Sequence, residues 1–329
     1  MQHAVHFRGS RQRFERLREM VAQLPEVKTW PEMRTLIDRA RHREEISVWE
    51  YPVAACLAAG GTEEDSLPGA AAIFCALTAI HLIDDLLDED PKGDFHHLGV
   101  GRVANLASAF QAVAHQLIEK AQASSNPVPE LQAQLSRAFL ATALGQELDT
   151  VEATTEEAYW QRVDAKTPPL FAAAFTLGGL LAGASTPTLA GLERLGRCLG
   201  RFVQVSDDLA DVLSTPASAD WSRPRNNLAL HYALTTSYPE RNEFAQLALA
   251  TKHLPSLAAA QKLLFKSGAV SYCLHQMSHF STEARSQVQD LEGVSPAPLC
   301  RIIDRMVRPL EHLLAIGSDE EARGIAERE

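Results

Sequence analysis

The sequence predicts an all-α protein, and two observations carry that prediction. Apolar residues recur at helical spacing nearly throughout the 329 residues, as at Phe14, Leu17 and Val21. Sustained runs of alternating, β-branched residues, which would indicate strands, are missing. We therefore expect a protein built from helices of ordinary length, with no sheet.

Helices are predicted wherever periodic segments run between clusters of turn-forming residues. The predicted helical segments are 14–24, 67–83, 104–117, 131–150, 169–184, 189–213, 257–264 and 299–314. Clusters rich in Ser and Pro mark the breaks, at 124–127, 185–187, 214–216 and 295–298. Because no linker is long or biased enough to divide the chain, we expect a single domain over residues 1–329. Its N-terminal helices would lie in 1–44 and a polar tail at 318–329.

Composition excludes several classes of protein. A formal net charge of −11 argues against a nucleic-acid binder, whose phosphate contacts require a basic face. The apolar stretches Leu67–Ile83 and Pro169–Ala184 are short for a membrane span and rich in Ala and Gly, so we predict buried core helices and no integral membrane segment. The five cysteines contain no CxxC pair, which favours a reducing compartment, and we expect a cytoplasmic protein.

One acidic pattern, Asp-Asp-x-x-Asp, occurs twice within apolar helices. Its copies are Asp84-Asp85-Leu86-Leu87-Asp88 and Asp207-Asp208-Leu209-Ala210-Asp211. Positions i and i+4 share a helix face, so the outer acids of each copy form a carboxylate pair. Such like charges repel unless a hard cation lies between them, and Mg²⁺ binds a few carboxylates together with substrate phosphate oxygens. The pattern therefore predicts Mg²⁺ as a cofactor.

The acidic segments HLIDDLLDED and LGRFVQVSDDLADV resemble the two aspartate-rich motifs of the trans-type isoprenyl diphosphate synthases, the farnesyl and geranylgeranyl diphosphate synthase family. Further matches follow in the family's order. Gly145–Asp149 resembles its GQxxD motif, Tyr159 with Lys166-Thr167 its Y…KTxxL segment, and Gln204 its FQxxDD motif. The stretch KSGAVSYCLHQMSHFSTEA resembles its C-terminal helical region. The resemblance covers about residues 45–315.

This resemblance implies an isoprenoid-synthase-type helical bundle whose two acid-rich helices face each other across a central cavity. Mg²⁺ ions there would bind the diphosphate of an allylic isoprenyl substrate. The implied metal ligands are Asp84, Asp88, Asp207 and Asp211. Asp85 and Asp208 are implied as further ligands or supporting groups, which makes all six acids catalytic. The implied substrate-binding residues are Lys166, Thr167, Gln204, Arg225, Ala79 and Ile80.

Other segments depart from the family pattern. Val48, Trp49 and Tyr51 stand where chain-elongating members carry the cations of GGKRxRP, which bind isopentenyl diphosphate. The Arg-Arg-Gly after the first acidic motif is also replaced, which leaves Lys92 as a surviving cation. Arg225 stands in the region of the family's GKxTxP segment and is expected to supply a charge to the first diphosphate. Without paired Arg donors, the chain should bind isopentenyl diphosphate poorly.

The departures predict a class I terpene synthase, with a diterpene synthase of the kolavelool-forming type as one candidate. It would ionise an allylic diphosphate and release a hydrocarbon or alcohol. Ala79 and Ile80 stand where the family places chain-limiting aromatics, so the cavity should admit a C15 chain, and a C20 substrate is preferred. Two alternatives stay open: a chain-elongating geranylgeranyl-type diphosphate synthase, and a non-catalytic regulatory subunit. The intact second acidic motif speaks against the subunit. The resemblance also allows a homodimer.

Overall fold

The computed structural model describes residues 2–40, 47–121 and 127–310, and in the first helix it describes side chains from Ser10 onward. Most of the described chain is helical, and these residues contain no strand, which confirms the predicted all-α class. Residues 41–44 of the expected N-terminal helices, most of the 124–127 break and the expected tail at 318–329 lie outside the described residues. The single-domain organisation stays a prediction.

The helices follow one another with short connections. The α-helices are α1 (Gln2–Ala22), α2 (Pro25–Lys28), α3 (Pro31–Arg39), α4 (Glu50–Ala58), α5 (Glu63–Leu87), α6 (Phe95–Leu98), α7 (Val100–Glu119), α8 (Val128–Asp149), α9 (Glu156–Lys166), α10 (Pro168–Leu181), α11 (Thr186–Leu213), α12 (Leu228–Thr235), α13 (Arg241–Ala248), α14 (Leu254–Ser267) and α15 (Ala269–Gln289). Helix α16 begins at residue 296 and continues to the last described residue, 310. Two 3-10 helices, Ala219–Ser222 and Pro224–Asn226, lie between α11 and α12.

Helix α10 lies at the centre of the bundle. Its sequence, PPLFAAAFTLGGLL, has no charged side chain, and every one of its residues is buried. It packs against α4, α5, α8, α9 and α11, so the helices that carry the functional motifs are arranged around it. The core continues outward as one hydrophobic cluster of buried residues that runs from Phe14 to Leu310. Burial of this apolar helix supplies much of the driving force that holds its neighbours in place.

Helix α5 is, among the described residues, the one helix that is long and apolar enough to span a membrane by length and composition. Most of its apolar stretch is buried inside the bundle, where α5 packs against α4, α7 and α10. A helix buried in this way is a core element, as predicted for both apolar stretches.

Two glycines let neighbouring helices approach α10 and α9 closely. A Cβ on Gly196 of α11 would lie 2.6 Å from the Cα of Ala172 in α10. A Cβ on Gly145 of α8 would lie 2.5 Å from the Cα of Lys166 at the end of α9. Real Cβ atoms do not tolerate such distances, and the atoms they would meet belong to the backbone. The positions of α9 and α11 therefore depend on the absence of a side chain at these two sites.

Gly196→Ala should destabilise the protein, because backbone must move apart to admit the methyl group. We expect a loss of ~1–3 kcal/mol in the free energy of unfolding, measured by thermal denaturation. Gly101→Ala, in α7, is the matched control, since a Cβ there meets nothing within 4 Å. It should be neutral or slightly stabilising, because Ala favours helix over Gly. Equal melting temperatures for the two variants would contradict the close approach of α10 and α11.

Candidate active site

The first acidic motif lies at the C-terminal end of α5. The start of this helix is fixed by a capping box, in which the Thr62 hydroxyl accepts from the Asp65 N–H and the Asp65 carboxylate accepts from the Thr62 N–H. Twenty-five residues later the helix ends, with Asp84 and Asp85 in its last turn and Asp88 as its C-cap. Carboxylates at a helix C-terminus face the negative end of the helix dipole. They therefore need positive charge from elsewhere in the fold.

Lys166 supplies that charge from the end of α9. Its Nζ lies 2.6 Å from Asp149 Oδ2 and 3.1 Å from Asp84 Oδ1. Burial acts to lower the pKa of Lys166, but the carboxylates of Asp84 and Asp149 more than offset burial, so its pKa lies above the ordinary value. The Gln146 side-chain amide also donates to Asp84. The close approach of α8 and α9 at Gly145 is what brings these groups together.

Arg223 approaches the first motif from the loop between α11 and α12. Its Nη2 donates to Asp88 Oδ1 at 2.9 Å, and its Nη1 donates to the Asp149 carbonyl at 2.6 Å. The residue precedes Pro224 and has a non-helical backbone, with φ −130° and ψ 65°. Arg225, which the sequence favoured, donates its backbone N–H to Glu152. Within the described part of the chain, the Arg225 guanidinium forms no ion pair with either acidic motif.

Asp208, the middle acid of the second motif, is buried and accepts several hydrogen bonds. Asp208, in α11, is only 2% exposed. Its carboxylate accepts from the Tyr159 hydroxyl at 2.7 Å, the Gln204 amide at 2.8 Å and the Leu228 N–H at 2.7 Å. With its oxygens engaged in this way, Asp208 fits the role of a supporting group that orients α11 against α9 and α12, one of the two roles the resemblance allows.

Thr167 joins the same network. The residue is at the N-cap position of α10, yet its hydroxyl makes no capping bond. It donates instead to the Gln204 side-chain carbonyl, whose amide in turn donates to Asp208. Lys166 and Thr167 thus point toward different acidic motifs from adjacent positions in the chain. The short α9–α10 junction connects the two halves of the site.

The remaining acids of α11, Asp207 and Asp211, are crowded by other carboxylates, and within the described part of the chain neither forms an ion pair. Burial and the neighbouring carboxylate of Asp211 raise the pKa of Asp207 to about 7. Burial and Asp220 raise the pKa of Asp211 to about 6, and burial and Asp208 raise the pKa of Asp220 to about 6. Both Asp207 and Asp211 are exposed to solvent.

The two motifs act on one another. Asp84 of the first motif raises the pKa of Asp211 of the second, and Lys166 lowers the pKa of both Asp207 and Asp211. In the first motif, burial and Asp90 raise the pKa of Asp85 to about 6. The structure therefore brings both copies of the pattern to one site, with Lys166 acting on each.

The donor set suits Mg²⁺ when a diphosphate is bound with it. Carboxylate oxygens are hard ligands, and burial together with neighbouring carboxylates raises the pKa of both Asp207 and Asp211. Among the described residues, no three His, Cys, Asp or Glu side chains come together closely enough to hold one metal ion. Mg²⁺ keeps much of its coordination for water and phosphate oxygens, so a set of this kind, completed by substrate, fits its chemistry.

The segment that departs from the family pattern is part of the core. Val48, Trp49 and Tyr51 are all buried, and the Tyr51 ring stacks on Phe175 of α10 at 4.9 Å. Between them, the buried Glu50 carboxylate lies 2.9 Å from Arg305 Nη1 of α16. A buried carboxylate needs such a partner. These residues hold α4 against α10 and α16, and their apolar character follows from that packing.

The positions predicted to line the tail pocket differ in environment. Ala79 is completely buried and Ile80 is half-buried, and both lie in α5. The structure brings together the other predicted residues except Arg225.

The sequence did not predict three further residues of the site, which are Arg223, Arg162 and Asn227. Arg162 is buried and pairs with Asp149 at 2.7 Å, and Asn227 donates to Asp220 at 2.7 Å and caps α12. The paired Asn residues before an apolar run were a usable capping signal for Asn227.

Comparison with known proteins gives a consistent result. The sequence profile of the polyprenyl synthetase family matches residues 52–254. A short chain isoprenyl diphosphate synthase from Methanothermobacter thermautotrophicus is 28% identical over 275 residues, which cover 78% of this chain and 83% of that protein. Geranylgeranyl pyrophosphate synthetase from Pyrococcus horikoshii Ot3 superposes with a TM-score of 0.76 at 19% identity, covering 93% of this chain and 99% of that one. Polyprenyl synthase from Caulobacter crescentus CB15, solved with calcium and isoprenyl diphosphate, has a TM-score of 0.75 at 20% identity, covering 89% and 91%.

These findings correct the function predicted from the sequence. The predicted terpene synthase, including the kolavelool-forming type, is wrong, because the matching relatives are chain-elongating isoprenyl diphosphate synthases. The prediction rested on Val48, Trp49 and Tyr51, whose character the core packing explains. The relatives favour the first of the two open alternatives, a chain-elongating diphosphate synthase, which is a prenyltransferase. Since the family profile matches well over half of the sequence, the chain belongs to the polyprenyl synthetase family.

Proposed function

We propose that this protein is a chain-elongating prenyl diphosphate synthase of the geranylgeranyl type. It would transfer an allylic isoprenyl group to isopentenyl diphosphate and release inorganic diphosphate. The observation that carries the proposal is the pair of acidic motifs brought to one site around Lys166, in a chain whose relatives are named for this reaction. Ala79 and Ile80 would leave room for a growing chain of up to about C20 in the tail pocket, since neither is a bulky aromatic.

The residues of the site divide the work of binding the allylic diphosphate. Lys166 pairs with Asp84, and Arg223 pairs with Asp88. Both cations have long, flexible side chains that can turn from these acids to a phosphate oxygen. Thr167 and Gln204 would donate from the side of α11. Asp208, through Tyr159 and the N-terminus of α12, keeps the second motif in position. Such preorganised donors stabilise the charge that develops on the departing diphosphate.

Mg²⁺ is the cofactor that this donor set would accept. Asp84 and Asp88 on one side, and Asp207 and Asp211 on the other, would hold it with the substrate. Mg²⁺ would supply Lewis-acid stabilisation of the departing diphosphate oxygens. Because the carboxylates of Asp207 and Asp211 lie so close to like charges, they would gain more from a cation than isolated carboxylates do.

The proposed function requires that isopentenyl diphosphate be a substrate. Protein with Mg²⁺, labelled isopentenyl diphosphate and dimethylallyl, geranyl or farnesyl diphosphate should place the label in a longer isoprenyl diphosphate that stays in the aqueous phase. Asp207→Asn should abolish this turnover, whereas Glu119→Gln, at the exposed end of α7, should not change it. A hexane-extractable product formed from the allylic diphosphate alone, with no label incorporated, would disprove elongation.

Arg223 should contribute more to substrate binding than Arg225. A charge-assisted hydrogen bond is worth about 1.5–3 kcal/mol, so Arg223→Gln should lower kcat/KM for the allylic diphosphate by roughly 10- to 150-fold. Arg225→Gln, two residues away, is the matched control and should change kcat/KM by less than about threefold. Steady-state kinetics with the allylic diphosphate varied provide the measurement. The reverse order of effects would return the role to Arg225.

We also propose that the chain forms a homodimer through α7 and α8. Helix α8 has a second apolar face, opposite its core face, on which Leu140, Leu144, Leu148 and the following Val151 are all exposed. The neighbouring helix α7 exposes two small residues at the middle of its length, Ser108 and Ala112. A contiguous exposed apolar surface of this kind marks an interface. Sedimentation velocity should give a dimer, and Leu144→Glu a monomer. A monomeric wild-type protein would contradict this proposal.

A further inference from the structure

The segment from α13 to α15 has an unusual charge for this chain. The protein carries 42 acidic residues in 329, yet residues 244–282 contain no Asp or Glu. The same segment carries Lys252, Lys262 and Lys266. In a molecule with a formal net charge of −11, this segment is a local basic surface. The bounding acids are Glu243 before it and Glu283 after it.

Large apolar side chains are exposed on the same segment. Leu249, the C-cap of α13, is 90% exposed, Leu254 begins α14 and is 57% exposed, and Phe265 near the end of α14 is 59% exposed. Single exposed apolar residues are ordinary on protein surfaces. These three, however, lie close together in the sequence, in the turn between α13 and α14 and in α14 itself. The three lysines of the segment lie in the same turn and helix.

The exposed side of α14 carries both apolar and basic residues. At 100° per residue, Leu254, Ala258 and Phe265 fall within about 40° of one another on the helical wheel. Lys262 and Lys266 follow on one flank of this stripe, still on the exposed side. The opposite side of α14, with Leu257, Leu263 and Leu264 among its buried residues, packs into the core. The outer face therefore presents an apolar stripe with a basic flank, and the preceding turn adds Leu249 and Lys252.

We propose that this face, formed by Leu249, Lys252, Leu254, Ala258, Lys262, Phe265 and Lys266, docks on an anionic lipid bilayer. Helices with an apolar stripe and lysines beside it lie in the interface plane of membranes, with the apolar residues in the headgroup region and the cations at the lipid phosphates. Charge complementarity selects this partner, because the face is basic in an acidic protein and contains no carboxylate of its own.

A second copy of the chain fits this face less well. Two copies related by a two-fold axis would bring the lysines of one face against the same lysines of the other. Only Lys266 has a carboxylate near it, that of Glu240 at 3.5 Å, among the contacts of the described residues. Lys252 and Lys262 have no such partner there, so their charge remains available to lipid phosphates. Self-association through this face would therefore be opposed by like charge.

The inference goes beyond the proposed reaction and does not depend on it. One consequence does rest on the proposed function. A product with a long isoprenyl tail partitions into bilayers, and docking through α14 would release it beside one.

Vesicle co-sedimentation tests the docking directly. The full chain should sediment with vesicles of phosphatidylcholine containing about one-third phosphatidylglycerol, and much less with pure phosphatidylcholine. Binding should be lost at about 0.5 M NaCl, where screening shortens the reach of surface charge. Lys252→Glu/Lys262→Glu should weaken binding by at least about tenfold, and Leu254→Ser/Phe265→Ser should weaken it at every vesicle composition.

The matched control is Lys28→Glu/Val100→Ser, which changes an exposed lysine and an exposed apolar residue elsewhere on the surface. It should bind as the wild type does. Unchanged melting temperatures would show that every variant is folded. Absence of binding by the wild type, or equal binding by the two patch variants and the control, would overturn the proposal. So would loss of self-association, measured by light scattering, in the patch variants alone, because that outcome would assign the face to a second copy.

Discussion

The ammonium group of Lys166, held between Asp84 and Asp149, is the interaction on which the site depends. Two helices carry acidic motifs near their C-terminal ends, and the charges of these motifs repel. The fold can hold both motifs close together because α9 ends beside α8, at a contact that Gly145 permits, and this contact places the half-buried Lys166 ammonium between Asp84 and Asp149. A buried charge is stable only with partners of opposite sign, so the acids and the lysine each require the other.

The two motifs are compensated in different ways, and this difference explains how the site can receive a substrate. The first motif has Lys166 and Arg223 bonded to its outer acids. In the second motif, Asp208 is fully engaged, while Asp207 and Asp211 have raised pKa values, about 7 and about 6. A carboxylate with a raised pKa favours folding at pH values below its unfolded value of ~3.9, and this contribution is lost as the pH rises through 6–7. As the pH rises past neutral, Asp207 and Asp211 therefore become ionised close to one another, and cations arriving with a diphosphate would offset their negative charge.

Much of the fold and part of the site could be predicted from the sequence. Helical periodicity identified the bundle, and the i,i+4 spacing of the acids identified both motifs, because each signal is local. Arg223 could not be found in this way, since its contact with Asp88 depends on the path of a loop between α11 and α12. The function was misjudged for a related reason. Val48, Trp49 and Tyr51 show which cations are missing, but only the structure shows that these side chains are buried in the core and that Glu50 between them pairs with Arg305.

Thermal unfolding at pH 8 tests most directly whether the acidic cluster is built for cations that arrive with a diphosphate. At this pH Asp207 and Asp211 are ionised, so their repulsion is greatest. The melting temperature would be measured in EDTA, with Mg²⁺ alone, with inorganic diphosphate alone and with both. We expect the two together to raise it by several degrees more than the sum of their separate effects, because each completes the binding site of the other. Purely additive shifts, or a full shift with diphosphate in EDTA, would contradict the account.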